Sequence, residues 1–168
     1  YKRNICPLKI YISTQSGRQY ILGYHYRSCH MLFFRLDAIK NITIGNKENK
    51  YSSYIENQKK FDKHLWGVSS GAGRSLDYIE MTIHIEDGES FIFQRLNREK
   101  RHGRVEVIDE HTCKFTADIY DATEMLPWLR TFIGRISDLK CSNKTVIDIF
   151  YDDINKMNDM YGGENNAL

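Results

Sequence analysis

The stretch from Gly17 to Ile39, "GRQYILGYHYRSCHMLFFRLDAI", gathers three arginines, two histidines and three tyrosines into what otherwise alternates like a pair of β-strands. Guanidinium forks bind phosphate and phenol rings stack on bases, so the cluster either converges on an anion or is simply solvated. Arg35 is the sharpest case, because it stands among Phe33, Phe34 and Leu36, where a charge must be paired or used. One reading pairs it with Asp37, two residues on and on the same strand face. The other aims its planar donor fork at a phosphate, a geometry Arg meets better than Lys. Tyr20, Tyr24 and Tyr26 share a parity and serve either as core or as stacking platforms for any base. His25 is a phosphate donor, a pH sensor or a solvated strand residue. Arg18, Arg27, Lys9 and Lys40 read as rim charges that would add salt-dependent attraction rather than specificity.

Other chemistry is less well supported. Cys29-His30, with His25 nearby, lacks further ligands at finger-like spacing, so no metal site is expected. Cys6, Cys29, Cys113 and Cys141 form no C-x-x-C pair and read as reduced, half-buried thiols. "SSGAGRS", residues 69–75, lacks the phosphate-loop lysine pattern and reads as a mobile tether. Asp152 and Asp153 fall opposite the apolar stripe of a helix, and Asp118 and Asp121 bracket a strand end as helix caps. Two glycosylation sequons, at Asn41 and Asn143, are ascribed to chance. No nucleophile–base set can be assembled, so the sequence predicts neither an enzyme nor a cofactor.

The 168 residues are 41 % apolar and 27 % charged, with a net charge of +2 that is unevenly spread. Residues 1–60 hold 11 Lys/Arg against 3 Asp/Glu, while residues 61–168 hold 13 against 19. Such asymmetry points to an anionic partner for the first half. No run of 18 apolar residues occurs, so a membrane span is not expected and a cytoplasmic globular protein is. The chain shows no signal peptide and starts at Tyr1, which fits a piece of something longer.

The positioning elements read in two grammars. The first half alternates with period two: Leu8, Ile10 and Ile12 are predicted to be buried, opposite Lys9, Tyr11 and Ser13. Strands follow over Gln19–Tyr26 and Met31–Ile39, and Ile42 and Ile44 start a further one. Short strands with no helix between them predict a small barrel or curled sheet over residues 1–45. Residues 46–75 read as a linker, helical toward Phe61 and Leu65. Residues 76–168 alternate: a strand through Ile79–Ile85, a helix over Glu89–Arg101, strands at Val105–Val107 and Phe115–Ile119, a helix through Met125–Ile136, and a strand at 137–142. That β-α-β-β-α-β order predicts a ferredoxin-like domain, followed by a helix from Asn143 with Val146, Ile147, Phe150, Ile154, Met157 and Tyr161 on one stripe.

"GRQYILGY" followed by "FFRLDAI" resembles the WYL domain, an Sm-like barrel of five strands, with Gln19-Tyr20-Ile21 in the place of the name-giving triplet. "HLWGVS" and "EMLPWLRTFIGR" resemble its WCX extension. Ala38 stands where the family pattern often carries an arginine. The resemblance implies the effector region of a bacterial transcription regulator: an α+β chain of WYL barrel, lacking its first strand, and ferredoxin-like WCX domain. It implies a short single-stranded nucleic acid or nucleotide as ligand, held by Arg35 with Tyr20, Tyr24, His25, Arg27, Arg18 and Lys9. It further implies homodimers, and contact with duplex DNA only through a helix-turn-helix that this chain does not contain. The competing expectations are a ligand-free dimerisation or protein-interaction module and an RNA-binding accessory protein.

Overall fold

The computed structural model describes residues 2–162, which form a mixed α+β fold with two sheets and four α-helices. Contacts divide the chain into two compact units, Tyr1–Leu76 with Ile119–Glu124 and Asp77–Asp118 with Met125–Leu168.

In the first unit, β1 (Ile5–Ile12), β2 (Gln19–His25) and β3 (His30–Arg35) form an antiparallel sheet in that order. The connections are tight because their residues tolerate left-handed backbone. Gly17 takes φ +67° with its N–H on the Ser13 carbonyl, and Cys29 takes φ +57° with its N–H on the His25 carbonyl. At the sheet centre a side chain on Gly23 would press on Ile5 and on the Cys6 carbonyl at 3.1–3.2 Å, so glycine permits the close approach of β1.

Several expectations for this half are corrected. No closed barrel forms among the described residues. β3 stops at Arg35 rather than Ile39, because β2 begins at Gln19 and leaves residues beyond Arg35 facing the Gly17 turn. Leu36–Ala38 becomes a single 3-10 turn, and Ile42 and Ile44 lie exposed outside any strand. The parity of β1 is reversed as well. Tyr11 is half-buried and Ser13 buried, while Ile10 and Ile12 are 60 % and 63 % exposed. A register shift between Pro7 and Lys9 breaks the alternation. The covered face is the one that meets α1 (Tyr51–Asp62), which begins well before Phe61. There Leu22, Phe61 and Leu65 form a buried cluster with Tyr11, Met31, Phe33 and Tyr120 against it. Residues 69–75 are no loose tether. Ser69 Oγ donates to Asp121 at 2.7 Å, the neighbouring Val68 N–H to Glu124 at 3.0 Å, and Arg74 Nε to the Gly71 carbonyl at 3.1 Å.

In the second unit the elements are β4 (Asp77–His84), α2 (Ser90–Glu99), β5 (Arg104–Asp109), β6 (Thr112–Ile119, its last residue grouped with the first unit), α3 (Leu126–Arg130), β7 (Ile136–Cys141) and α4 (Lys144–Tyr161). The sheet order is β5-β6-β4-β7, with β4/β7 and β5/β6 antiparallel. Ile79, Met81, Ile83 and Phe115 are fully buried, as the period of two requires. Ile92 and Leu96 are the buried residues of α2. Trp128 packs edge-on against Phe115 and Phe132, each at 5.1 Å, and donates its indole N–H to Glu99 at 3.0 Å. The helix expected through Ile136 ends at Arg130. Thr131 turns its hydroxyl back onto the Trp128 carbonyl at 2.7 Å, and Ile136 opens β7 instead. Asp121 caps no helix here. It sits at φ +54° and accepts from Ser69 and Thr123. Asn143 does cap α4, accepting the Thr145 N–H at 3.2 Å. Among the described residues no helix is long and apolar enough to cross a membrane.

Candidate functional site

Strand pairing sets which of the sequence-selected side chains can meet. Tyr11, Tyr20 and Arg35 are direct neighbours across the three strands, on the face that α1 partly covers. Arg35 lies at the last paired position and its side chain is exposed. Its Nε and Nη2 donate to the two oxygens of Asp37 at 3.0 and 2.7 Å, a bidentate fork. The hydrogen bonds from Arg35, aided by the field of Arg18, hold the Asp37 carboxyl below its ordinary range, and Asp37 raises Arg35 in turn. Arg18, Tyr20, Arg35 and Asp37 therefore form one solvent-facing cluster at the end of the sheet. Two guanidiniums share one carboxylate, beside a Tyr20 ring that rests edge-on against Phe33. Arg18 has no ion pair of its own among the described residues.

The other selected residues go elsewhere. Lys9 is not a rim charge. Its ammonium binds Asp62 at 2.9 Å and lies 4.7 Å from the centre of the Tyr11 ring. Asp62 also accepts from the Tyr11 hydroxyl and from Gln58, while Gln58 donates to the Tyr11 oxygen at 3.0 Å. Burial pushes Asp62 up, but hydrogen bonds from Lys9, Tyr11 and Gln58 outweigh it and leave the carboxyl below its ordinary range. Burial, with the Asp62 contact, raises Tyr11. This network pins β1 to α1. His25 is not solvated: it is buried and bonded through Nδ1 to Ser28 Oγ at 2.8 Å, inside the turn to β3. Tyr24 already stacks on Tyr54 of α1, with centroids 4.2 Å apart and planes at 16°. Tyr26 donates to Glu48 at 2.6 Å, which keeps that carboxyl low. Arg27 is exposed with no ion pair among the described residues.

Of the seven selected residues, three come together: Arg18, Tyr20 and Arg35. Tyr24, His25 and Lys9 are used by the fold, and Arg27 stands apart. The sequence reading passed over Asp62, Gln58, Glu48 and Tyr54. A signal was present, since residues 1–76 contain only four acids and three of them, Asp37, Glu48 and Asp62, bind a basic or phenolic group of the sheet. An acid in so acid-poor a stretch marks where a cation or a phenol is anchored. No group of three metal-ligating side chains occurs among the described residues, and all four cysteines are unpaired. Compared with the models of known protein families and with curated proteins, the chain matches none.

Proposed function

We propose that this chain is the effector region of a WYL-type transcription regulator whose first unit takes up a short single-stranded nucleic acid. The observation that carries the reading is the shared carboxylate: Arg18 and Arg35 face one Asp37 at an exposed sheet end beside Tyr20. A phosphate can displace Asp37 from the Arg35 fork, because a dianionic or bridging phosphate offers the same paired oxygens with Arg18 as a second donor. The absence of any Asp or Glu among residues 2–36 adds a field that draws polyanions. Two features of the fold support the family reading. The element order β-α-β-β-α-β with sheet order β5-β6-β4-β7 is that of a ferredoxin-like, WCX-type domain. β1–β3 supply three of the five strands of an Sm-like barrel. The ligand acts on regulation through differential affinity for two arrangements of a homodimer, and duplex DNA is met only through a separate helix-turn-helix.

The test is fluorescence anisotropy with labelled DNA and RNA oligonucleotides of about five to ten nucleotides. Binding is expected at low salt and is weakened at higher salt. Arg35→Ala lowers affinity by roughly tenfold, the scale of a lost charge-assisted pair. Asp37→Asn raises affinity, because it removes the competing carboxylate. Absence of binding by both the wild type and Asp37→Asn at low salt overturns the proposal. A second reading, a protein-interaction module, is favoured by a different observation: the exposed apolar face bearing Ile10 and Ile12.

A further inference from the structure

Two apolar surfaces of this chain are left uncovered, and they are complementary. The first is the sheet face opposite α1. Cross-strand pairing sets Ile10, Ile21 and Phe34 side by side there, with Ile12 and Leu32 on the same face. Ile10 and Ile12 are mostly exposed and the other three half-buried. β1 also leaves an unpaired edge beside this face. The second surface is on α4. Positions 146, 150, 153, 154, 157, 160 and 161 fall within one stripe of an ideal helix. Val146 and Phe150, in its first half, are buried. Met157, Met160 and Tyr161, in its second half, are 43 %, 72 % and 77 % exposed. The same stripe is therefore core at one end and solvated at the other.

Their charges differ in sign. The sheet belongs to a stretch, residues 2–36, with six Lys/Arg and no acid. α4 carries Asp148, Asp152, Asp153 and Asp159 against Lys144 and Lys156, and its last turn contains no basic residue. The negative end of the helix dipole thus lacks a countercharge exactly where the stripe is uncovered. We infer that the carboxyl-terminal half of α4 in one copy packs on the uncovered β1–β3 face of a second copy. Met157, Met160 and Tyr161 then lie against Ile10, Ile12 and Phe34. Applied reciprocally, the contact closes a two-fold pair and leaves neither surface exposed. It rests on the self-association in the reading above and not on its nucleic-acid ligand.

Sedimentation velocity of nucleic-acid-free protein over roughly 1–300 µM, the span of weak complexes, tests it. The wild type is expected to self-associate, less so at high salt. Ile10→Asp with Ile12→Asp, and separately Met160→Asp with Tyr161→Asp, are each expected to weaken association at least tenfold with circular dichroism unchanged. An equimolar mixture of the two variants associates more than either alone, since one intact sheet meets one intact helix. A wild type that stays monomeric overturns the inference together with the self-association. Association that neither variant alters overturns this surface alone. Both variants retain oligonucleotide binding, so a failed anisotropy assay bears only on the nucleic-acid reading.

Discussion

Each sheet buries one face, but the faces left to solvent differ in kind. On the four-stranded sheet, Glu80 is opposite Lys140 across β4/β7 and forms ion pairs with Lys140 at 3.2 Å and Lys114 at 3.5 Å, with the Tyr78 hydroxyl on the same carboxylate at 2.9 Å. Those contacts hold the Glu80 carboxyl below its ordinary range. On the three-stranded sheet the corresponding face presents Ile10 and Ile12, and the polar groups lie on the covered side, where Lys9, Tyr11, Gln58 and Asp62 satisfy one another. A polar outer face is what a finished sheet shows to water. An apolar outer face over a polar, paired inner one marks a sheet awaiting a partner.

The contrast can be broken most forcefully in the second unit. Phe115→Ala removes a fully buried ring that touches Trp128, and is expected to cost about 3–5 kcal/mol in urea unfolding. Ile12→Ala, on the open face, is expected to change monomer stability by less than about 0.5 kcal/mol. Equal costs would mean that the open face is covered within the monomer. Gly103→Ala comes next, because its added carbon meets the Phe115 ring, and overpacking there is expected to cost about 1–3 kcal/mol.

Asp62→Ala probes the polar inner face. It strands Tyr11, Gln58 and Lys9 and is expected to cost about 1–3 kcal/mol, with a pH signature. The folded pKa of Asp62 is below the unfolded one, so its contribution is complete above about pH 4 and fades as pH falls through the lower folded value. In Asp62→Ala that part of the acid-side slope disappears. A variant whose acid limb matches the wild type would remove Asp62 from the network. The smallest effect is expected at Lys140→Ala, which breaks exposed pairs with Glu80 and Asp138 and leaves the thermal midpoint nearly unchanged.

The second unit was largely legible from the chain because its strands obey one rule. Ile79, Met81 and Ile83 alternate with polar residues and are buried together, and the α4 cap and stripe could be read from Asn143, Val146 and Phe150. The candidate site was legible only in part. Arg18, Tyr20 and Arg35 share the end of one sheet face, and the pairing of Arg35 with Asp37 was one of the two readings its position allowed. Lys9 and His25 could not be placed, since their partners are 53 and 3 residues away and only the first requires a long-range contact. Asp62 reaches Lys9 by way of α1, and nothing local announces that.

What the amino-acid order determined alone was periodicity, turns and charge: where strands and helices form, where the chain reverses, and which half is basic. Which face of β1 would be covered was decided by tertiary contact. α1 packs on the Tyr11–Leu22–Phe33 side, and the register shift after Pro7 aligns Lys9 and Tyr11 with it. Period-two alternation names two faces but cannot say which one a distant helix will choose. That choice depends on the total area each face can bury, and in this sheet the aromatic side won, with its polar atoms paired and the isoleucines left in water.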